Sequence, residues 1–336
     1  MMALAVAKPD PSSTSRRRDF LRLVGGAAAV TVSSDLPADR YPRKPVRLLV
    51  GFTPGGTSDI ISRMIAQWFS EQLGQQFIVD NRPGAAGNIA AETAAKAPSD
   101  GYTLLLINAA NASNAAVYEN LKFDFMRDIQ PVASIYEGPF VLVVNPSLPV
   151  KTLSEFVTLA KANTRKLNIG SPGAGTTVHL CSELFRMMAG VEMVHVQYRG
   201  GAPALVDLLG GQIDGMFATV ASAIAYIRSG KLRALAVTTS TRSPVLPQTP
   251  SIGDFLLGYE ASDWYGLGAP RGTPADVLQQ LRLLVNGALA NSSFATKLMD
   301  LGGAAWSSSP AEFAKRIQTD TAKWAKVVKF AGIKPV

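Results

Sequence analysis

Two glycine-rich turns in this chain combine small residues and hydroxyls in a way that suits an anion. One is Thr53-Pro54-Gly55-Gly56-Thr57-Ser58-Asp59, which follows the apolar run 46–52. The other is Gly170-Ser171-Pro172-Gly173-Ala174-Gly175-Thr176-Thr177, which follows 166–169. A strand that runs into a helix through glycines leaves backbone N–H groups unpaired at the positive end of the helix dipole. Two such turns in separate halves of a chain point to one anion held between two lobes. For either turn alone a second reading stands beside the first: the glycines relieve crowding in a tight strand-to-helix connection. Neither turn is a nucleotide fingerprint, because Gly-x-Gly-x-x-Gly is absent and no lysine follows Gly56 or Gly175.

Other reactive side chains are sparse. Cys181 is the only cysteine, so no disulfide forms within the chain, and on a helix it reads as a small buried apolar residue. His179 lies two residues away, on a different helical face. His179 and His195 are the only histidines, and without acidic partners at ligand spacing they make no metal site. His179 reads as a structural helix residue and His195 as a strand residue. There is no Gly-x-Ser-x-Gly elbow and no histidine placed against a nucleophile, so catalysis is not expected and neither is a cofactor.

The elements that must hold the turns alternate regularly. Strands are expected at 46–50, 76–79 and 102–107, with helices at 60–73 and 88–96 between them. The run 129–144 is extended in character. Further helices are expected at 153–162, 177–189, 203–209 and 221–227, with strands at 167–169, 193–196, 213–217 and 232–238. After a loop at 239–251, residues 263–270 form a second extended crossing, and terminal helices fill 273–290 and 310–330. This rhythm predicts an α/β chain with a mainly parallel sheet. Such sheets bind ligands beyond the carboxyl ends of their strands, where both glycine turns fall. Two crossings make the middle of the chain an insertion and the cleft between lobes the site. The expected divisions are 1–38, a signal segment; 39–139 with 264–336, lobe 1; and 140–263, lobe 2.

The chain has 336 residues, 47% of them hydrophobic and 17% charged, enough for two cored lobes. Its net charge is +8, and 28 bases against 22 acids after residue 38 leave +6. That excess attracts anionic ligands at long range. No dense basic run interleaved with aromatics follows the leader, which argues against nucleic acid. The leader itself carries Arg17-Arg18-Asp19-Phe20-Leu21-Arg22 ahead of the short, mildly apolar stretch 23–32. It is similar to a twin-arginine export signal and too short to span a bilayer. The expected location is therefore the periplasm, as a soluble monomer.

The sequence resembles the Bug receptors, the extracytoplasmic solute-binding proteins of the tripartite tricarboxylate transporter family. The matching stretches include Tyr41-Pro42-Arg43-Lys44-Pro45-Val46, Asn81-Arg82-Pro83-Gly84-Ala85-Ala86-Gly87-Asn88 and Asp100-Gly101-Tyr102-Thr103-Leu104-Leu105. Leu208-Leu209-Gly210-Gly211-Gln212-Ile213-Asp214, Gly230-Lys231-Leu232-Arg233-Ala234-Leu235 and the terminal segment 323–334 continue the match. The resemblance implies a type II periplasmic-binding-protein fold, two α/β lobes joined by a two-strand hinge and closing on a small organic acid. Such receptors hold a ligand carboxylate through loop backbone groups and bridging waters. It implies that Pro54, Gly55, Gly56, Thr57, Ser58 and Asp59 supply one side of the cleft, and Gly173, Ala174, Gly175, Thr176 and Thr177 the other. Asn111, Asn114, Tyr198 and Arg199 are implied as further cleft positions. A membrane transporter of the tripartite tricarboxylate type is the implied partner.

Each assignment has a structural rival. Thr57, Ser58, Thr176 and Thr177 could equally cap helices, Asp59 could complement a helix dipole, and Arg199 could form an exposed salt bridge. Ala218-Thr219 stands where many relatives carry an acid after the strand 213–217, which argues against an amino-acid ligand. Gln197 replaces the usual proline before Tyr198. Two other functions share the scaffold: a sensor that docks on a signalling partner, and a hydrolase or decarboxylase working in the cleft.

Overall fold

A computed structural model describes residues 41–162, 166–173 and 175–333. The leader, with its export motif, and Ala174 lie outside the described residues. The first elements are β1 (Val46–Val50), α1 (Thr57–Leu73), β2 (Phe77–Asn81), α2 (Asn88–Ala95), β3 (Thr103–Asn108), α3 (Ala109–Val117) and α4 (Phe125–Asp128). The long strand β4 (Ile129–Val144) leads to α5 (Leu153–Ala162), β5 (Leu167–Ser171), α6 (Thr177–Ala189) and β6 (Met193–Gln197). Then come α7 (Gly201–Leu209), β7 (Gly215–Thr219), α8 (Val220–Arg228) and β8 (Arg233–Val237). The chain ends with β9 (Ser262–Pro270), α9 (Ala275–Ala290), α10 (Ser292–Asp300), β10 (Ala304–Ala305) and α11 (Pro310–Ala331).

The strands join in the order β2-β1-β3-β9-β4-β7-β5-β6, with β8 and β10 also pairing with β4. β1 runs parallel to β2 and β3, and β5 parallel to β6 and β7. These are the strands joined by crossover helices, and the inner ones, β1 and β3, are nearly continuous apolar runs that are almost wholly buried. The expectation of a mainly parallel sheet needs correction at the centre. β9 is antiparallel to both β3 and β4, and β4 is antiparallel to β7 and β8. The two long extended stretches therefore lie side by side, pointing in opposite directions. β4 changes partners along its length: Ile129–Pro139 pairs with β9, and Phe140–Val144 with β7 and β8.

Side-chain patterning accounts for the packing. α1 buries Ile61, Ile65 and Phe69 against β1 and ends at Gly74, whose left-handed conformation returns an N–H to Ser70 O. α11 starts at a capping box, Ser309 with Glu312, and carries Pro310 in its first turn. Its Phe313, Ile317 and Trp324 are buried. Phe313 packs edge-on to Trp264 of β9 with ring centres 5.6 Å apart. Gly266 makes room for that ring, since a Cβ there would sit 2.4 Å from Phe313.

Behind the paired crossings lies an ionic cluster centred on one buried carboxylate. Asp320 of α11 is 3% exposed and accepts from Trp264 Nε1 at 2.7 Å, Arg316 Nε at 3.1 Å and Lys323 Nζ at 2.8 Å. Arg316 also reaches Glu137 on β4 at 3.0 Å and Glu260 just before β9 at 3.6 Å. Burial would raise the Asp320 carboxyl, but the cations of Lys323 and Arg316 and the indole hydrogen bond hold it below its usual range. The C-terminal helix thus grips both crossings at once.

Candidate functional site

The first glycine turn is built by β1, α1 and β2 together. Pro54, Gly55 and Gly56 are exposed, Thr57 is half-buried, and Ser58 and Asp59 are buried. Gly55 takes φ +87°, a backbone conformation that a side chain would strain. Its N–H donates to Asp59 Oδ2 at 3.0 Å, closing the turn on itself. Arg63 Nε reaches the same oxygen at 2.9 Å, and Asn81 Nδ2 donates to Asp59 Oδ1 at 3.0 Å and to Phe52 O at 3.0 Å. The Arg63 hydrogen bond, against the opposing effect of burial, holds Asp59 below the usual carboxylate range, with Gly55 and Asn81 adding to it. The carboxylate is occupied by protein partners, so it does not confront an incoming anion as a bare charge. Asn81 is a positioning residue that the sequence singled out only as part of a longer match.

Gly56 is the N-cap of α1, and no side chain caps it. The first intrahelical bond runs from Ile60 N–H to Gly56 O, so the preceding N–H groups have no partner within the helix. Thr57 and Ser58 stand inside the helix and are not its cap. The Tyr265 hydroxyl on β9 donates to Asp263 Oδ2 at 2.8 Å, and burial raises its phenol well above the ordinary value.

The second turn is arranged differently. Thr176 is the N-cap of α6: its hydroxyl donates to Gly173 O at 2.8 Å and accepts from His179 N at 3.3 Å. That uses its only proton. Gly175, at φ +72°, donates its N–H to His179 Nδ1 at 3.0 Å, which fixes the proton of a neutral His179 on Nε2, 3.7 Å from Glu183 Oε1. The rings of His179 and His195 stack with centres 3.7 Å apart, and His195 Nε2 hydrogen-bonds Ser171 Oγ. Burial and the neighbouring His179 ring push His195 down to about 4. The two histidines brace the turn from beneath. Thr177 is buried in the first helical turn.

The remaining implied positions are held by structural partners. Asn111 Oδ1 accepts from Asn108 N at 2.9 Å in the capping box of α3. Asn114 Nδ2 donates to Ala86 O at 3.1 Å and Asn88 Oδ1 at 2.7 Å. Both asparagines line a cavity of about 210 Å³ with Asn88, Tyr118 and Phe125, and no residue of either turn lines it. The Tyr198 hydroxyl donates to Asp207 Oδ2 at 2.8 Å, while its backbone N–H pairs with Ser171 O beside the second turn. Burial and Asp207 push that phenol up to about 12. Arg199 is exposed. One contact links the second turn to the first half of the chain: a Cβ on Gly175 would lie 2.6 Å from Val117, one turn beyond Asn114 on α3.

Cys181 is buried, and burial raises its thiol far above its ordinary value, which makes it an inert packing residue. Strand alternation could have flagged Asp263 and Tyr265 as neighbours, since residues two apart share a face, and their side chains hydrogen-bond at 2.8 Å.

Comparison with known proteins matches residues 61–333 to the receptor of the tripartite tricarboxylate transporter family. A solved structure described as R. palustris Rpa4515 with adipate is 38% identical, with a TM-score of 0.79, covering 88% of this chain and 100% of that one. The periplasmic binding protein BugD is 30% identical with a TM-score of 0.76, over 88% of this chain and 100% of that one. MatC (Rpa3494) from Rhodopseudomonas palustris with bound malate is 32% identical with a TM-score of 0.75, over 86% and 100%.

Proposed function

The chain belongs to the tripartite tricarboxylate transporter receptor family and is a solute-binding receptor, not an enzyme; we propose that it captures a small organic carboxylate in the periplasm and delivers it to a membrane transporter of that type. The observation that carries the reading is the exposed, uncapped N-terminus of α1, with the nearby Asp59 already neutralised by Arg63. Free N–H groups at a helix start favour a carboxylate over a neutral group. Adipate and malate in two relatives support a mono- or dicarboxylate as the ligand. At position 218, where an acid would meet a ligand amino group, this chain has a buried alanine.

Residues 39–139 with 264–336 form lobe 1 in this reading, and 140–263 form lobe 2. The change of β4 partners between Pro139 and Phe140 supports that division, as does the start of β9 at Ser262. The ligand sits between the first turn and the second, contacting Ser58 and the backbone N–H groups around Gly56 on one side. On the other side the backbone from Gly173 to Thr177 is the contact, with Tyr198 and Arg199 at its edge. The leader, similar to a twin-arginine signal, and the periplasmic description of BugD support export.

A pair of substitutions tests the site. Ser58 does not cap a helix, so Ser58→Ala is expected to remove a charge-assisted hydrogen bond worth about 1.5–3 kcal/mol, roughly ten- to hundredfold in adipate affinity. Thr176 is a cap, so Thr176→Ala is expected to cost about 1 kcal/mol of stability and leave affinity nearly intact. Calorimetry with adipate and thermal melting without it separate the two effects. Normal adipate binding by Ser58→Ala would remove the side-chain contact from the proposal.

A further inference from the structure

Gly175 of the second turn, at φ +72°, has no side chain to anchor it, and its N–H donates to His179 Nδ1 at 3.0 Å. The fit is close on the other side too, where a Cβ on Gly175 would lie 2.6 Å from Val117 of α3. The His179 ring is itself held firmly. It stacks on His195 with centres 3.7 Å apart and planes 14° from parallel, and His195 is tied to Ser171 of β5. His179 Nε2 lies 3.7 Å from Glu183 Oε1, while Arg186 Nε takes Glu183 Oε2 at 2.8 Å. His179 and Glu183 are 4% and 6% exposed. Among the described residues, Glu183 and His195 are the titratable groups that face the ring. Of the other elements packed against α6, the strands β5 and β7 and the helix α3 carry no ionisable side chain. Tyr259, Asp263, Asp320 and Lys323 act on Cys181, which points from a different face of α6. After β6, Tyr198 is paired with Asp207 and Arg199 is exposed.

The Gly175 N–H needs a lone pair on Nδ1, so the bond exists only while His179 is neutral with its proton on Nε2. Protonation puts a second N–H on the ring, aimed at the first. Two donors cannot share that space, and the turn must move. We propose that His179 is the positioning residue of the second turn, and that protonating it releases Gly175 and lowers the affinity of the cleft for its carboxylate. This rests on the carboxylate reading above and deepens it. Two effects oppose each other. A cation beneath the turn attracts an anion, and a displaced turn loses its backbone contacts. Displacement wins, because Glu183 stands beside the ring to answer the added charge, while the Gly175 N–H is left without its acceptor. Affinity must therefore fall as pH falls through the His179 titration. Adipate, which binds the neutral form better, must move that titration to lower pH.

Calorimetry with adipate between about pH 5 and 8, where histidines change charge, tests this on the wild type and two variants. His195, pushed down to about 4 by burial and the His179 ring, stays neutral in this range. His179→Asn places an Oδ1 where Nδ1 stands and has no proton to gain, so it keeps the Gly175 bond at every pH. His179→Ala removes the acceptor and should bind adipate roughly tenfold more weakly than wild type at about pH 8, with His179→Asn restoring most of the loss. The ratio of wild-type to His179→Asn affinity cancels the protonation of adipate itself. That ratio should fall by up to about tenfold per pH unit on the acid side of the His179 titration. NMR of the unaltered protein gives a readout that needs no variant to fold. The Gly175 amide resonance should follow the His179 imidazole as pH falls, and the His179 titration should move to lower pH with adipate. A ratio that stays flat or rises in acid would overturn the proposal, as would full affinity in His179→Ala at about pH 8 or a Gly175 amide that ignores the His179 titration. Absence of binding by adipate and malate at every pH overturns the carboxylate reading itself, and the acid release with it.

Discussion

Asp320→Ala is expected to destabilise the fold by roughly 3–5 kcal/mol, the usual consequence of removing the buried partner of a charge cluster. The buried carboxylate accepts from the buried Trp264 and from the half-buried Arg316 and Lys323. Without it the indole N–H loses its acceptor, the half-buried Lys323 loses its carboxylate, and Arg316 is left to Glu137 and Glu260 alone. Asp320→Asn keeps an acceptor for Trp264 and should lose less. Urea unfolding at pH 7 reads both values, and an unchanged denaturant slope shows that the same fold is being compared. The pH dependence has a definite sign. The folded carboxyl titrates below its unfolded range, so its contribution is present above about pH 4 and is lost as the pH falls through the folded value. The gap between wild type and Asp320→Ala should therefore narrow in acid. A variant less than about 1 kcal/mol weaker at pH 7 would mean that α11 does not tie the crossings together in this way.

The second large effect is on binding. Asp59→Ala is expected to lower adipate affinity by about a hundredfold. Asp59 anchors Gly55, Asn81 and Arg63, and through Asn81 it also holds Phe52, so the whole first turn is set by one buried carboxylate. Two effects oppose each other. Deleting a negative charge near an anion site favours binding, and loosening the turn disfavours it. Positioning wins, because Arg63 at 2.9 Å already neutralises most of the charge. Adipate affinity measured alongside Asp59→Asn decides the matter: a rise in affinity in both variants would show that charge, not positioning, is what Asp59 contributes.

Much of the frame was legible in the residues. The strand 46–50, the helix after the first turn and the long extended run 129–144 all follow from periodicity, and the structure has β1, α1 and β4 there. α3 gave no such signal, since Ala109–Val117 is a string of alanine, asparagine and serine held by its Asn108–Asn111 capping box. α10 and the two-residue β10 were not read either; β10 is defined only by pairing with Glu137 and Tyr136. Strand direction at the centre of the sheet was missed because a βαβ rhythm says nothing about extended segments without crossover helices. At the site, the glycine turns were visible and the division of labour among their hydroxyls was not. A serine or threonine after a glycine turn reads alike whether it caps the helix or faces a ligand. The two here part company because Gly56 takes the cap position in α1 and Thr176 takes it in α6.

The central claim is that a carboxylate is held between two lobes that close on it, and small-angle scattering of the protein with and without adipate tests it most directly. The account predicts a smaller radius of gyration at saturating adipate and no change with the neutral analogue adipamide. Identical profiles with and without adipate, or equal compaction by adipamide, would contradict it.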